Sequence, residues 1–451
     1  MNRLAVASKD AMLPLPSSSG IAVSEEGERR LRRLERMRQV AERALASAER
    51  EGFENYDPAD AKGTPIVLWT FARGTPLARL VRLSIYGGLY AAPIGFRKLL
   101  GVRPSRYAHA SAMLACAYAQ LARTTGDNTW CSKTKPLLEW LSENKAEAPI
   151  GESWGSPFPW FSYGGVVPTT VGSSHGTMWV ANAFLAYYEL TGDSWALEHC
   201  AQACDFLAYG LNSTEHPSGS LSVSYSIIDR SQCININADS ASILVRFSKA
   251  AARPAYFDVG VRMLRFVLEN QSPGGGWSYD VPLTGSNSTN IDGRPWLPNI
   301  DGFHTGMVLS ALTQILPHLE NDELRARSQA ALDRGLSFYM DKLFTADGIP
   351  RYSLTKLYPI DAYSCGQAIL SLVDACQCDA LDPALRKQAL QLLDAVADRT
   401  VDQMLEPDGS FLTARYRFRS FRLKCLRWAQ AVLVLAFERY CELLKAESSS
   451  H

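Results

Sequence analysis

The sequence predicts an all-α fold, an (α/α)6 toroid of helix hairpins with short β-hairpins in the loops of one rim. Three observations carry this prediction. Helix starts recur near Tyr107-Ala108-His109, Ser174-His175-Gly176, Asn237-Ala238-Asp239, Phe303-His304, Ala362-Tyr363-Ser364 and Arg427-Trp428, at intervals of about 60 to 67 residues, the spacing of a repeat architecture. A Thr-Gly-Asp turn also recurs, at Thr125-Gly126-Asp127 and Thr191-Gly192-Asp193. Between helix pairs, a glycine followed by alternating aromatic residues reads as a short hairpin: Gly219 to Tyr225, Gly276 to Tyr279, Gly348 to Tyr352 and Gly409 to Tyr416.

The first element is an amphipathic helix over Glu25 to Glu51, where Leu31, Leu34, Met37, Val40, Ala41 and Leu45 fall at helical spacing among charges. Asn55 to Pro65, with two prolines and a glycine, is a loop. Pro76 to Leu100 sets arginines among apolar residues. Helix pairs follow: Tyr107 to Arg123 with Thr134 to Asn144, His175 to Leu190 with Trp195 to Leu211, Asn235 to Lys249 with Tyr256 to Gln271, Phe303 to Leu319 with Asp322 to Leu343, and Asp361 to Cys376 with Pro383 to Met404. Leu423 to Leu444 supplies a sixth inner helix, whose partner must come from the N-terminal segment and close the ring.

Length and composition bound the function. A chain of 451 residues has room for two or three domains, but a toroid uses such a length as one unit, so the expected organisation is a flexible leader over 1–24 and one toroid over 25–451. Lysine plus arginine equals aspartate plus glutamate, 46 each, which gives no net pull toward nucleic acid or an anionic membrane. Any anionic partner must be met locally. No stretch approaches the roughly 18 apolar residues of a membrane span. The first twenty residues carry Arg3, Lys9 and Asp10 and lack the apolar run of a secretory signal, so a cytoplasmic protein is expected. The ten cysteines, mostly in apolar helical contexts, read as small core residues; no metal site and no cofactor is expected.

Chemistry is expected at the rim where the inner helices start. Unpaired N–H groups and positive dipole ends favour an anionic ligand there. His304 and His175 open inner helices, where an imidazole works as acid or base. Asp239, Asp292, Asp301 and Asp361 lie near the same rim, and two of them at suitable separation would form a glycosidase pair; each alone would be an N-cap. Asp57 and Asp60 are either hydroxyl-binding or catalytic groups or turn formers. Trp154, Trp160, Tyr225, Trp277, Tyr279 and Tyr358 would offer flat faces to sugar rings, and Asn235 stands beside them. Arg415, Arg417, Arg419, Arg422 and Arg427, interleaved with Tyr416, Phe418 and Phe421, would bind carboxylates or phosphates.

Several stretches, taken in order, carry a resemblance over Tyr56 to about Gln430. They are Tyr56-Asp57-Pro58, Ser153-Trp154-Gly155 with Phe158-Pro159-Trp160, the His175 helix with Tyr188 to Asp193, Ser224-Tyr225-Ser226, Asn235 to Ala238, Gly275 to Tyr279, Asp301 to Gly306, and Tyr358 to Asp361 with Gln367-Ala368. The chain resembles bacterial polysaccharide-biosynthesis proteins of the six-hairpin glycosidase-like superfamily, related to the helical domain of uronyl carbon-5 epimerases. The resemblance implies an (α/α)6 toroid and a role in exopolysaccharide or capsule assembly, without implying one reaction. Pro298 to Gly302 departs from the Trp-Ile-Asp-Asn-Phe-His form of that group.

The leading expectation is therefore an enzyme acting on a uronate-containing glycan by epimerase, lyase or hydrolase chemistry. His304 or a rim tyrosine would be base or acid, Asp301 and Asp361 would orient or donate, and arginines would hold the carboxylate. Its partner would be an acidic oligo- or polysaccharide, with other assembly proteins as a further class. Two alternatives stand beside it. One is a non-catalytic glycan-binding assembly component. The other is a terpenoid cyclase-like toroid, suggested by Gln271 to Trp277 and Asn237 to Ala241, although that chemistry wants several clustered acids and this run has Asp239 alone.

Overall fold

The computed structural model describes residues 25–73, 75–162, 165–282 and 299–448. The expected leader and Asp292 lie outside these residues. Helix α1 (Glu25–Glu51) comes first, followed by α2 (Pro65–Arg73), α3 (Pro76–Ala91) and α4 (Pro93–Leu99). Five hairpins follow: α5 and α6 (Ala108–Thr125, Thr129–Glu143), α7 and α8 (Ser174–Thr191, Ser194–Asp205), α9 and α10 (Ile234–Ala251, Pro254–Glu269), α11 and α12 (Gly302–Ile315, Asp322–Lys342), and α13 and α14 (Ala362–Gln377, Pro383–Met404). The last helix is α15 (Ala431–Ser448).

The odd-numbered helices from α5 to α15 pack each on the next, and α15 packs on α5, so the inner ring closes. Helix α1 packs against α15 as its outer partner, as the missing sixth hairpin requires. Small residues permit the close approach. A Cβ added at Gly306 would stand 2.9 Å from Ser371 Oγ and 3.0 Å from the Tyr339 hydroxyl, and one at Gly366 would stand 2.8 Å from Val432.

Gly126 and Gly192 cap α5 and α7 in the left-handed region, at φ of +70° each, which is why the Thr-Gly-Asp turn repeats. The aspartates start the next helix: Asp127 accepts the Thr129 amide at 2.9 Å and Asp193 the Trp195 amide at 3.0 Å. Helix α6 consequently begins at Thr129, five residues before the sequence expectation. Eight of the ten cysteines are buried and all ten are free, which fits their reading as core residues.

The rim loops hold short antiparallel pairs, Trp160–Ser162 with Gly165–Val167, Ser213–Glu215 with Leu221–Val223, and Ala414–Tyr416 between Arg419–Phe421 and Ile360–Asp361. Gln232–Cys233 pairs with Asp280–Val281. At Gly276 and Gly348 the expected hairpins shrink to isolated bridges, Gln271 to Trp277 and Phe344 to Pro350. Trp277 of the first of these connectors and Trp154 of the loop after α6 wedge into the core instead. Both are fully buried, their ring N–H groups donating to Leu141 O at 2.8 Å and Val267 O at 3.0 Å near the ends of α6 and α10.

Glu438 is buried on α15 where it meets α1, and burial, with Glu42 adding to it, raises its carboxyl to about 7. Folding thus takes up a proton between the ordinary value of 4.5 and about 7, and the stability present at low pH is lost as pH rises through this window. Glu438→Gln is expected to raise the unfolding free energy by about 3 kcal/mol at pH 8.5 and to change it little at pH 4, as read by urea denaturation at the two pH values.

Candidate active site

The rim is built from helix caps. Asp301 caps α11, its Oδ1 accepting the His304 amide at 2.8 Å while its Oδ2 faces the ring Nδ1 of the same histidine at 2.7 Å. Asp361 caps α13, accepting from the Ser364 amide at 2.9 Å, and its second oxygen accepts from Trp428 Nε1 at 3.0 Å. Ser173 caps α7. The last inner helix opens differently, through a π-helical turn over Leu426–Gln430 that presents both Arg427 and Trp428 to the rim.

The loop after α1 faces this turn. Asp57 is buried and takes a bidentate pair from Arg427, Nε at 2.7 Å and Nη2 at 2.8 Å. Asp60 accepts from Arg97 Nε at 2.8 and 3.0 Å, and Arg97 Nη2 donates to Asp57 O at 2.9 Å. These bonds fix the loop, and Ala59 and Lys62 then face a cleft.

The cleft has two lobes of about 540 and 350 Å³ that share Ala59, Lys62, Phe303, His304, Arg427 and Trp428. Tyr90, Asp301, Tyr352, Asp361 and Tyr416 line the larger lobe. Tyr107, Trp160, His175, Tyr225, Asn235 and Tyr279 line the smaller one. This is the size and mixture of a small-ligand site.

Burial acts differently on each titratable group here. It would raise the Asp301 carboxyl, but the charge and hydrogen bonds of His304 outweigh it and hold Asp301 below the ordinary value. At Asp361 burial wins over the Ser364 and Trp428 donors, and the carboxyl is raised. His175 is lowered to about 3, by burial first and then by Arg427 and His304, so it is neutral at physiological pH. Lys62 is lowered by its concave surroundings and by Arg427, against the pull of Asp57. His175 and Asn235 line the smaller lobe, and His175 Nδ1 and Asn235 Oδ1 are buried without a partner among the described residues, a costly arrangement.

The structure brings together most of the sequence candidates: His304, Asp301, Asp361, Trp160, His175, Tyr225, Asn235 and Tyr279. Others fall elsewhere. Trp154 and Trp277 are core wedges and present no face to a ligand. Asp57 is spent on Arg427 and acts by positioning it. Arg415 turns from the cleft and donates to Gln403 O at 3.1 Å, since alternate strand residues point oppositely and Ala414 and Tyr416 hold the cleft side. Tyr358 is exposed, and its neighbour Pro359 takes the lining position.

Asp239 sits one and a half turns into α9, below the rim, and lines the bore of the toroid instead. That bore, about 490 Å³, carries its own paired charges, Arg439 with Asp374 at 2.9 Å and Arg123 with Glu189 at 3.7 Å, and Arg246 Nη1 donates to Asn182 at 2.6 Å. Several of its charges are paired, but Asp239 is not: its Oδ2 is buried without a partner among the described residues, as are Gln120 Nε2 and Trp179 Nε1, and burial raises the Asp239 carboxyl well above its ordinary value. Lys62, Tyr107, Phe303 and Trp428 are the lining residues that sequence reasoning passed over. Tyr107, Phe303 and Trp428 carried a signal as members of predicted helix starts, and Lys62 carried none.

No protein-family model matches this chain, and no curated protein matches its sequence. Solved structures match in fold. The cellobiose 2-epimerase of Spirochaeta thermophila DSM 6192 is 12% identical with a TM-score of 0.57, covering 77% of this chain and 89% of its own. An inactive variant of the GH76A α-1,6-mannanase of Salegentibacter sp. HEL1_6, in complex with α-1,6-mannotriose, is 14% identical with a TM-score of 0.57, over 76% and 91%. A polysaccharide lyase is 12% identical with a TM-score of 0.53, over 75% and 90%. The shared fold is the (α/α)6 toroid. The expected toroid is therefore found, with short strand pairs in its rim loops.

The Asp57–Arg427 pair gives a direct test. Arg427 holds the Asp57 carboxyl below its ordinary value of 3.8 despite burial, so the pair contributes stability above that value and loses it as pH falls through the lowered one. Asp57→Ala should cost about 3–5 kcal/mol at pH 7 and distinctly less at pH 2.5, measured by guanidinium denaturation.

Proposed function

We propose that this protein modifies a glycan by proton transfer beside the carboxylate of a uronate residue. The observation that carries the reading is the Asp301–His304 pair opening onto the same cleft as Lys62 and Arg427. With its Nδ1 facing the Asp301 carboxylate, the imidazole carries its proton there, and Nε2, without a partner among the described residues, is the basic nitrogen. Arg427 spends Nε and Nη2 on Asp57 and keeps Nη1 for a ligand.

Abstraction of the carbon-5 proton leaves an electron pair that delocalises into the carboxylate, a step that needs neighbouring cations to be accessible. Lys62 and Arg427 supply them. Return of a proton to the other face gives the epimer; expulsion of the carbon-4 oxygen with its sugar forms a double bond and gives a lyase product. Asp361, with its raised carboxyl, lines the same lobe and is the acid that this scheme uses. Hydrolysis is less well supported, because it calls for two available carboxyl groups flanking the bond and the Asp301 carboxylate is engaged by His304.

The tilted Tyr279 and His304 rings, centroids 4.5 Å apart, and the edge-on Trp160 and Tyr225, at 5.5 Å, form aromatic walls suited to sugar rings. Fold neighbours include an epimerase, a lyase and a hydrolase of carbohydrates, which supports glycan chemistry without choosing a substrate. The cellular role we propose is cytoplasmic modification of an acidic exopolysaccharide or capsule precursor.

Incubation with an acidic bacterial polysaccharide in heavy water, followed by nuclear magnetic resonance, tests this. Deuterium at carbon 5 marks an epimerase and unsaturated ends a lyase; new reducing ends alone would replace the proposal with hydrolysis, and an unchanged polymer would leave a binding role. His304→Gln is expected to lower turnover by roughly 10²- to 10⁴-fold.

A further inference from the structure

Helices α2 to α4 stand apart from the hairpin ring and have a small core of their own, where Ala61, Val67, Ile85 and Leu89 are buried with Phe71, Val81 and Phe96 around them. A helix on a protein surface ordinarily turns a polar face to water. Helix α3 does not. Its inner face buries Ala78, Ile85 and Leu89, and its outer face carries Leu77, Leu80 and Leu83, which are 64%, 61% and 58% exposed. Ser84, Gly87 and Ala91 complete that outer face without a charge. Leu99, at the end of α4, is 77% exposed, and Ile66, Trp69 and Ile94 are exposed as well.

The charge of this lobe is one-sided. From Ala61 to Gly126 the chain has no aspartate or glutamate, while Arg73, Arg79, Arg82, Arg97, Lys98 and Arg103 fall within or just after the three helices. Arg97 is buried against Asp60. Arg82 lies over the Phe71 ring at 4.3 Å, and Arg79, Lys98 and Arg103 are exposed and make no ion pair among the described residues.

Exposed leucines and a tryptophan flanked by unneutralised arginines and lysines are the chemistry of a helix lying in a lipid–water interface. We infer that the α2–α4 lobe docks on an anionic bilayer surface, with the Leu77–Leu80–Leu83 row at the headgroup–acyl boundary and Arg79, Lys98 and Arg103 on lipid phosphates. The absence of balancing acids argues for lipid over a second copy of this chain, since a symmetric contact would bring like charges together. Among the described residues no helix is long and apolar enough to cross a membrane, so the mode is in-plane attachment. The balanced charge of the whole chain hides this local surplus.

The lobe also borders the cleft. Tyr86, Leu89 and Tyr90 of α3 line the larger lobe of that cleft, so its entrance lies about one helix diameter, ~10 Å, from the docked face. A glycan carried at the membrane would be presented there.

Co-sedimentation of the full chain with large vesicles tests the inference, comparing phosphatidylcholine alone with a mixture containing about 30% phosphatidylglycerol, at low salt and at about 0.5 M salt. Binding is expected with the anionic vesicles and should weaken in high salt. Leu77→Gln, Leu80→Gln and Leu83→Gln together should weaken it by about 100-fold or more, and Arg79→Gln by about fivefold. The triple variant should keep its thermal transition and its action on soluble glycan. Absence of binding to either vesicle, or binding that the triple variant retains, overturns the inference. So does a dimer in sedimentation velocity that the triple variant dissolves while vesicles bind neither protein.

Discussion

The bidentate pair between Asp57 and Arg427 is the contact on which both the closure of the ring and the character of the cleft depend. It joins a loop after the first helix to the turn that opens the last inner helix, across 370 positions of sequence. Its two charges are largely removed from water, which is tolerable only because the geometry is bidentate and the Ala59 amide adds a bond to the carboxylate at 2.8 Å. Held there, Arg427 lies over the Tyr107 and Trp428 rings at 4.6 Å from each and brings a cation to the meeting point of both lobes.

The cleft gathers positive potential from several sources. Inner-helix N-termini direct their dipoles at it, Arg427 and Lys62 border it, and the neutral His175 adds no opposing charge. Its carboxylates are each tied to a donor. Such a site suits an anionic, hydroxyl-rich ligand and leaves one imidazole, on a carboxylate-oriented ring, as the clearest proton-transfer group. The tie between Asp301 and the His304 backbone amide makes the cap and the orienting group one residue, so the histidine's position is set by the start of the helix itself.

The lobe of α2 to α4 illustrates a different constraint. Its small core binds it to the loop that carries Asp57 and Asp60, and Phe71 stacks on Phe161 of a rim hairpin at 5.4 Å. The cleft-lining loop and the apolar outer face are thus parts of one packed unit. Whatever this face touches is mechanically close to the cleft.

The periodicity of small-residue helices, the Thr-Gly-Asp turns and the need for a closing partner were legible in the sequence, because each follows from local chemistry: left-handed glycine, cap geometry and helical spacing. The Asp301–His304 pair was legible for the same reason, being three residues apart on one cap. What the sequence could not express was direction. Trp154 and Trp277 resemble Trp160 in composition and setting, yet only packing decides which ring wedges under an outer helix and which faces a cavity. Among the arginines of one strand and turn, strand alternation sent Arg415 outward and the π turn brought Arg427 inward. Asp239 shares its helix with residues of the rim, but its place in the second turn commits it to the bore. These choices belong to the tertiary structure, since each depends on which surface a neighbouring helix covers after the ring has closed.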